Sequence, residues 1–313
     1  MMTTSRLSRR EFLQTAPVAA ALATAIRPSR VDAAPSPRWK VIAFSKPFTR
    51  LNYDETADLV AEVGWDGIEC PVRKTATHID PERVEEQLPK MAEALKKRGR
   101  EVSMITTDIT GVSPLAERIL RTAAALGIRK YRLGPMYYVP GRPIPEQLDE
   151  FTARIRDLAG LNHQLGIQGG VQNHSGSNYF GAPVWDAFEA VRPLTPADMG
   201  IAFDIGHATL EGGLSWPIQA RLAEPRYSVV YVKDFRWEKQ AKGWEPVWCA
   251  LGEGMVSSKF FEMLGGSDFA GPVCQHHEYE IGTSPAENLR HYKDDLKTLR
   301  AWLAAAAVTA ATA

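Results

Sequence analysis

Residues 199–234 run MGIAFDIGHATLEGGLSWPIQARLAEPRYSVVYVKD. Two short runs rich in β-branched and aromatic residues, 199–205 and 227–234, flank a segment of helical period at 216–223. The order is strand, helix, strand, which repeated builds a parallel sheet covered by helices. The alternation extends in both directions. Further strands are expected near 40–46, 66–72, 101–107, 130–134, 167–174 and 272–279. Helices are expected over 52–63, 81–98, from Ser113-Pro114, and over 143–165, 183–192, 257–265 and 285–305. Asp80 before Pro81 is a helix start signal. Val84, Leu88, Met91 and Leu95 then form one apolar stripe. Eight strand–helix units in a chain of this length have the order and size of a (β/α)8 barrel, about 250 residues. A doubly wound open sheet would carry a glycine-rich phosphate loop after its first strand, and Phe44-Ser45-Lys46-Pro47 is not one. One α/β domain, a (β/α)8 barrel over 38–305, is expected, with an alanine-rich, disordered tail at 306–313.

Ahead of the barrel, Ser8-Arg9-Arg10-Glu11-Phe12-Leu13-Gln14 precedes an alanine-rich apolar stretch from Thr15 to Ile26, followed by Val31-Asp32-Ala33-Ala34. A charged region, a short apolar region and a small-residue cleavage site make an export signal, and the paired arginines make it twin-arginine type. Residues 1–33 are therefore expected to be a signal peptide, the export machinery a partner, and the mature protein periplasmic or extracellular. Cleavage near Ala33 removes Arg6, Arg9, Arg10, Arg27, Arg30, Glu11 and Asp32 from 37 basic and 37 acidic residues, leaving 32 and 35. The twin-arginine route carries folded proteins, a hint that an ion or cofactor is loaded before export.

Composition excludes several classes. Hydrophobic residues make 44% and charged residues 24% of 313 positions, a globular mixture. The even charge and the lack of a basic block argue against nucleic acid. No apolar run is long enough to span a membrane. Cys70, Cys249 and Cys274 are too few and too scattered for a disulfide framework or a cysteine zinc site.

Strand side chains alternate between the helix side and the barrel interior. If Ile201 and Phe203 face the helices, Asp204 points inward. By the same logic Ile68 faces out and Glu69 in, Tyr131 and Leu133 out and Arg132 in, and Val171 out with Gln172 and His174 in. Val230 and Val232 face out, so Tyr231 and Lys233 point in. Val273 faces out, so Cys274, His276 and Glu278 point in. All fall late in their strands, toward the C-terminal mouth where sites of this fold are built. So many ionisable groups cannot be buried without partners or function.

These residues resemble the xylose-isomerase-like TIM barrels, which include sugar phosphate isomerases, ketose 3-epimerases, inosose dehydratases and, more distantly, the endonuclease IV group. The resemblance covers nearly all of 38–305. It rests on Asp66-Gly67-Ile68-Glu69, Val171-Gln172-Asn173-His174-Ser175-Gly176, Phe203-Asp204-Ile205-Gly206-His207, Val232-Lys233-Asp234-Phe235 and Leu251-Gly252-Glu253-Gly254. In the family's epimerases one divalent ion sits on a Glu, an Asp, a His and a Glu from strands five to eight. By position these fall on Gln172, Asp204, Tyr231 and His276, with Glu278 the rival of His276. Only the Asp matches. The resemblance therefore implies a site of Gln172, Asp204 and His276 for Mn, Zn or Mg, with less negative charge than usual. The family glutamates also form its acid–base pair, and Gln172 cannot titrate.

The candidate catalytic groups are Lys233, His276 and Glu278. His276 suits a base near neutrality. Lys233 is a base, a cation that holds a carbonyl or enolate oxygen, or the ion-pair partner of Glu278 or Asp204. The candidate substrate contacts are Glu69, Arg132, His174, His207 and Tyr231. Arg132 suits a carboxylate, a phosphate or Glu69. Tyr137-Tyr138 and the Trp237 and Trp244 region stack on a sugar or cover the mouth. The reading implied is an exported isomerase or epimerase that moves a proton next to a carbonyl of a carbohydrate or polyol. A keto-sugar lyase or dehydratase and a non-catalytic sugar-binding barrel are the alternatives. A repair nuclease would need more inward histidines than these.

Overall fold

The computed structural model describes residues 38–279, 282 and 284–312, with no side-chain description at 308–312. The export signal expected at 1–33 lies outside the described residues. The barrel strands are β1 (Val41–Phe44), β2 (Gly67–Val72), β3 (Glu101–Thr107), β4 (Lys130–Arg132), β5 (Gln168–Gln172), β6 (Met199–Asp204), β7 (Tyr227–Val232) and, after a hairpin of β8 (Asp234–Gln240) and β9 (Gly243–Cys249), β10 (Val273–Gln275). The helices are α1 (Tyr53–Val63), α2 (Val84–Lys97), α3 (Pro114–Ala125), α4 (Ile144–Leu165), α5 (Trp185–Val191), α6 (Ile205–Gly212), α7 (Trp216–Ala223), α8 (Lys259–Gly265) and α9 (Pro285–Thr312).

The eight barrel strands close in the order β1-β10-β7-β6-β5-β4-β3-β2, every pair parallel. Closure sets β10 between β1 and β7, so the last strand meets both the first and the seventh. The expected (β/α)8 architecture is thus the observed one.

Local chemistry explains the helix ends. Asn52 and Glu55 form a reciprocal capping box on α1, and Gly64 closes it at φ 97° in the left-handed region. Ser113 caps α3, with Pro114 in its first turn. At Asp80-Pro81 the first turn is a short 3-10 segment, Pro81–Arg83, which passes into α2.

The apolar residues divide into two layers. Val171, Ile201, Phe203, Val230, Val232 and Val273 pack outward with the helices in the main core. Ile42, Phe44, Met104, Ala202, Val229, Tyr231 and Cys274 fill the barrel interior. The polar mouth lies above this inner plug.

Three stretches differ from the sequence expectation. The helix expected at 216–223 is present as α7, and a further short helix, α6, precedes it from Ile205, where Asp204 caps it. The stretch after β7 folds back as the antiparallel hairpin β8–β9. The tail expected to be disordered over 306–313 is instead helix as far as Thr312, and Ala306 is fully buried. Ala306 lies against Gly265 of α8, where a Cβ would meet the Ala306 carbonyl oxygen at 2.5 Å.

Candidate active site

Asp204 ends β6 and starts α6. Its Oδ1 accepts the backbone N–H of His207 at 3.1 Å, the usual work of an N-cap carboxylate. Asn173, one residue past β5, grips the Asp204 backbone from both sides: Nδ2 donates to its carbonyl at 2.9 Å and Oδ1 accepts its N–H at 2.7 Å. The carboxylate is thereby aimed into the mouth, fully buried.

Lys233, one residue beyond β7, is 3% exposed. Its Nζ lies 3.2 Å from Asp204 Oδ2 and 2.7 Å from His207 Nε2. It stands 4.6 Å from the ring centroid of Trp248 on β9, a cation–π distance. Glu278 Oε1 is 3.9 Å away. An ammonium only donates, so His207 Nε2 is the acceptor and Nδ1 carries the ring proton. That proton faces Ser175 Oγ at 2.9 Å. Burial and the Lys233 charge hold His207 well below its usual pKa. It is a neutral ring with both nitrogens engaged. His174 lies on it, ring centroids 3.9 Å apart, with its own Nδ1 2.8 Å from the Ser175 carbonyl. Burial and Lys233 push His174 down to about 4.

The second half of the site is built on Glu69, near the end of β2 and fully buried. Its carboxylate ion-pairs with Arg132 at 3.3 Å and accepts from Tyr231 Oη at 2.9 Å, Cys274 Sγ at 3.3 Å and Thr106 Oγ1. Burial alone would raise its pKa, but Arg132, His276 and Thr106 hold it at about 2. Arg132 stacks over Phe44 at 4.8 Å and donates to Gln172 Oε1 at 2.7 Å. Gln172 turns its amide N–H to Asp204 Oδ2 at 3.1 Å, joining the two halves.

His276 lies 3.3 Å from Glu69 through Nε2. Against an ionised Glu69, Nε2 carries the proton. Burial outweighs the Glu69 charge and lowers the His276 pKa, so the ring is neutral. Its buried Nδ1 has no hydrogen-bond partner among the described residues. The carboxylate nearest that nitrogen is Glu278 Oε1 at 3.9 Å. Glu278 is paired with Lys46 at 3.2 Å. Burial would raise its pKa, and Lys233, His276 and Lys46 together lower it.

The structure thus brings together the candidate catalytic, substrate and metal residues of the sequence in three adjoining groups. Glu69, Arg132, Gln172 and Tyr231 form a floor of mutual contacts. Asp204, His207 and Lys233 form a buried triad beside it. His174, His276 and Glu278 stand at its upper edge. Asp234 is structural, taking N–H groups from Phe235, Gly252, Gly254 and Val256. Tyr138 is tied to Asp186 at 2.8 Å, while Tyr137, Trp237 and Trp244 are exposed. Sequence reasoning missed Asn173, Ser175, Thr106, Lys46 and Trp248. For Trp248 a signal existed: Trp244, Pro246 and Trp248 alternate, and all face the same side of the hairpin as Phe235 and Trp237.

A closed barrel of eight parallel strands with surrounding helices defines the class as a (β/α)8 barrel. The chain belongs to the xylose isomerase-like TIM barrel family, whose profile matches residues 57–306. No curated protein sequence matches the chain. Among solved structures it is similar to a 3-keto-D-glucoside 4-epimerase from E. coli in apo form (17% identity, TM-score 0.65, 84% of this chain and 99% of that one). It is also similar to a D-psicose 3-epimerase with D-tagatose from Clostridium cellulolyticum H10 (11%, 0.65, 84% and 99%). A third is a xylose isomerase-like TIM barrel protein from Mycobacterium smegmatis in complex with magnesium (16%, 0.63, 85% and 98%). At these identities the likeness is one of fold.

The residues of this chain do not fit an ion held by Gln172, Asp204 and His276. The Gln172 oxygen serves Arg132 and its nitrogen faces Asp204. Asp204 is paired with Lys233. A second cluster, Glu69, Cys274 and His276, has potential ligand atoms within 4.8 Å of one another. There Glu69 is already paired with Arg132 and accepts from Tyr231, Thr106 and the Cys274 thiol itself.

Proposed function

We propose that this chain is an isomerase- or epimerase-like enzyme that moves a proton next to a carbonyl of a carbohydrate or polyol. One observation carries the reading: His276 is buried and neutral, its Nε2 is held by Glu69 at 3.3 Å, and its Nδ1 is unpartnered among the described residues. A carboxylate that fixes the tautomer and leaves a free lone pair at the mouth makes a general base. His276 Nδ1 takes the proton from the carbon beside the carbonyl. The C–H electron pair becomes the carbon–carbon double bond of an enediolate, and the carbonyl π pair moves onto oxygen. Return of a proton to the neighbouring carbon isomerises the sugar, and return to the opposite face epimerises it. In this reading Glu278, 3.9 Å from His276, and His174 hand protons between oxygens and carbon. The developing oxyanion needs a cation beside it. The epimerases of similar fold support a sugar as substrate.

The test is proton exchange. Ketohexoses and 3-keto-glucosides are incubated in D2O with the enzyme, and the proton α to the carbonyl is followed by NMR. Exchange in the parent protein, lowered about 10²- to 10⁴-fold in His276→Ala, is expected. Loss of water in place of isomer formation would assign a lyase. Binding without exchange across the panel would leave a sugar-binding barrel and overturn the reading.

We also propose export by the twin-arginine route to the periplasm or exterior, on the strength of Arg9-Arg10 and the apolar stretch behind them. Arg9→Lys with Arg10→Lys is expected to retain the protein in the cytoplasm on fractionation. Unchanged export would remove the assignment.

A further inference from the structure

We propose that the Lys233 ammonium stands in the place of the divalent ion, so that this chain holds no catalytic metal and uses a lysine as its electrophile. The electrophile clause rests on the proton-transfer reading above. The charge clause stands on the geometry alone.

The first argument is charge pairing. Three carboxylates reach the mouth, and each has a cation within ion-pair distance. Glu69 has Arg132 at 3.3 Å, Asp204 has Lys233 at 3.2 Å and Glu278 has Lys46 at 3.2 Å. A divalent ion added here would leave two positive charges in a buried site without counter-charge, which is strongly unfavourable. Of the neutral donors of Gln172 and His276, only His276 Nδ1 is left without a partner among the described residues, and one nitrogen does not make a cradle for an ion. Gln172 spends its oxygen on Arg132, and His276 spends Nε2 on Glu69.

The second argument is that the lysine position is built. Gly206, in the first turn of α6, lies against the Lys233 stem. A Cβ there would meet Lys233 Cγ at 2.8 Å and its carbonyl oxygen at 3.0 Å. Only glycine leaves that channel open. At the far end Trp248 presents its ring 4.6 Å from Nζ. His207 takes one N–H at 2.7 Å, and its ring is set in turn by Ser175. The stem, head and partners of Lys233 are thus all specified.

The third argument is donor capacity. An ammonium has three protons. One goes to His207, and Asp204 is the ion-pair partner. On the remaining side stands Glu278 Oε1 at 3.9 Å, too far for a hydrogen bond. A carbonyl oxygen that reaches Nζ on this side would receive that proton. As the substrate C–H proton leaves to His276, the oxygen gains negative charge beside a fixed cation. No electron leaves the substrate, and the ammonium keeps its protons.

The experiment uses the full chain purified without chelator. Metal content is measured by inductively coupled plasma mass spectrometry. Thermal unfolding is followed with and without Mn²⁺, Mg²⁺ or Zn²⁺. D2O exchange is measured before and after EDTA treatment. The expected result is well under one metal per chain, no rise in Tm with any of the three ions, and exchange unchanged by EDTA. Lys233→Met is expected to lose exchange at least 100-fold, and Lys233→Arg to retain more than Lys233→Met, with both folded by circular dichroism. If Lys233→Met fails to fold, Gly206→Ala, which crowds the stem, is expected to lower kcat more than it changes KM. One metal per chain, or exchange abolished by EDTA and restored by Mn²⁺, overturns the proposal while leaving the proton-transfer reading intact. Lys233→Met that is folded and exchanges at the parent rate also overturns it. Absence of exchange in every protein refutes the proton-transfer reading and with it the electrophile clause, and metal content and Tm still decide the charge clause.

Discussion

Nζ of Lys233 lies 2.7 Å from Nε2 of His207. The contact makes His207 an acceptor, fixes its tautomer and removes it from the list of available bases. It also separates the histidines by task. His207 orients the lysine, and His276, with Nδ1 unpartnered among the described residues, is left to move a proton.

The Lys233–Asp204 pair is buried on both sides. Asp204→Asn preserves the helix cap, because Asn caps as well as Asp, yet leaves the buried ammonium without its counter-charge. Unpairing a buried ion costs about 3–5 kcal/mol. Urea unfolding should show a loss of that order for Asp204→Asn. A loss under about 1 kcal/mol would mean that the pair is solvated in solution.

Acid should unfold the protein in two stages. His174 is held at about 4, below the usual histidine value of about 6.5. The unfolded chain takes up that proton first, so this contribution is complete above pH ~6.5 and is lost as pH falls toward 4. Glu69 is held at about 2, below the usual carboxylate value of about 4.3. Its contribution is present above pH ~4.3 and is lost as pH falls toward 2. Each group adds a slope of up to about 1.4 kcal/mol per pH unit within its window. Urea midpoints measured from pH 7 to 2 should therefore fall in both windows. His174→Gln should reduce the slope in the upper one without abolishing it, because His207 and His276 are also held below the usual histidine value.

Glu69 acts on the reaction through His276. Glu69→Gln should lower kcat with little change in KM, because the amide no longer enforces the Nε2–H tautomer that frees Nδ1. The acid limb of the kcat profile should move as well, since the Glu69 charge raises the His276 pKa against burial. Equal kcat and an unmoved limb would separate the two residues.

The hairpin offers an internal contrast. Trp237 and Trp244 are 44% and 66% exposed. Each changed to Ala should alter stability by less than about 0.5 kcal/mol. Trp248→Ala removes the ring over Lys233 and should cost about 0.5–2 kcal/mol, read as a shift in urea midpoint. Equal effects at the three positions would argue against the Lys233–Trp248 contact.

Much of the barrel and the inward set was legible because parallel strands alternate strictly. A period of two places Glu69, Arg132, Gln172, Asp204 and Tyr231 on one face from local information alone. Lys233, His276 and Glu278 lie just beyond their strands, yet they reach the same site. The short helix α6 directly after Asp204 was not legible. Its first turn depends on a carboxylate that caps it and that Asn173 holds from a neighbouring strand. The hairpin was missed because Gly243 and Pro246 interrupt a strand reading of 243–249.

The sequence alone determined the alternation of strand and helix, the apolar outer face of each strand and the ring of polar residues at the C-terminal mouth. Those follow from period and propensity, which are local. The pairing among those residues was decided only by the tertiary structure. Glu69 and His276 are 207 positions apart and meet because closure brings β10 beside β1, next to β2. Whether an inward lysine is a base, a structural cation or an electrophile depends on which carboxylates and rings reach its Nζ. Distances of 3 to 4 Å across a closed barrel set that, and no stretch of sequence contains them.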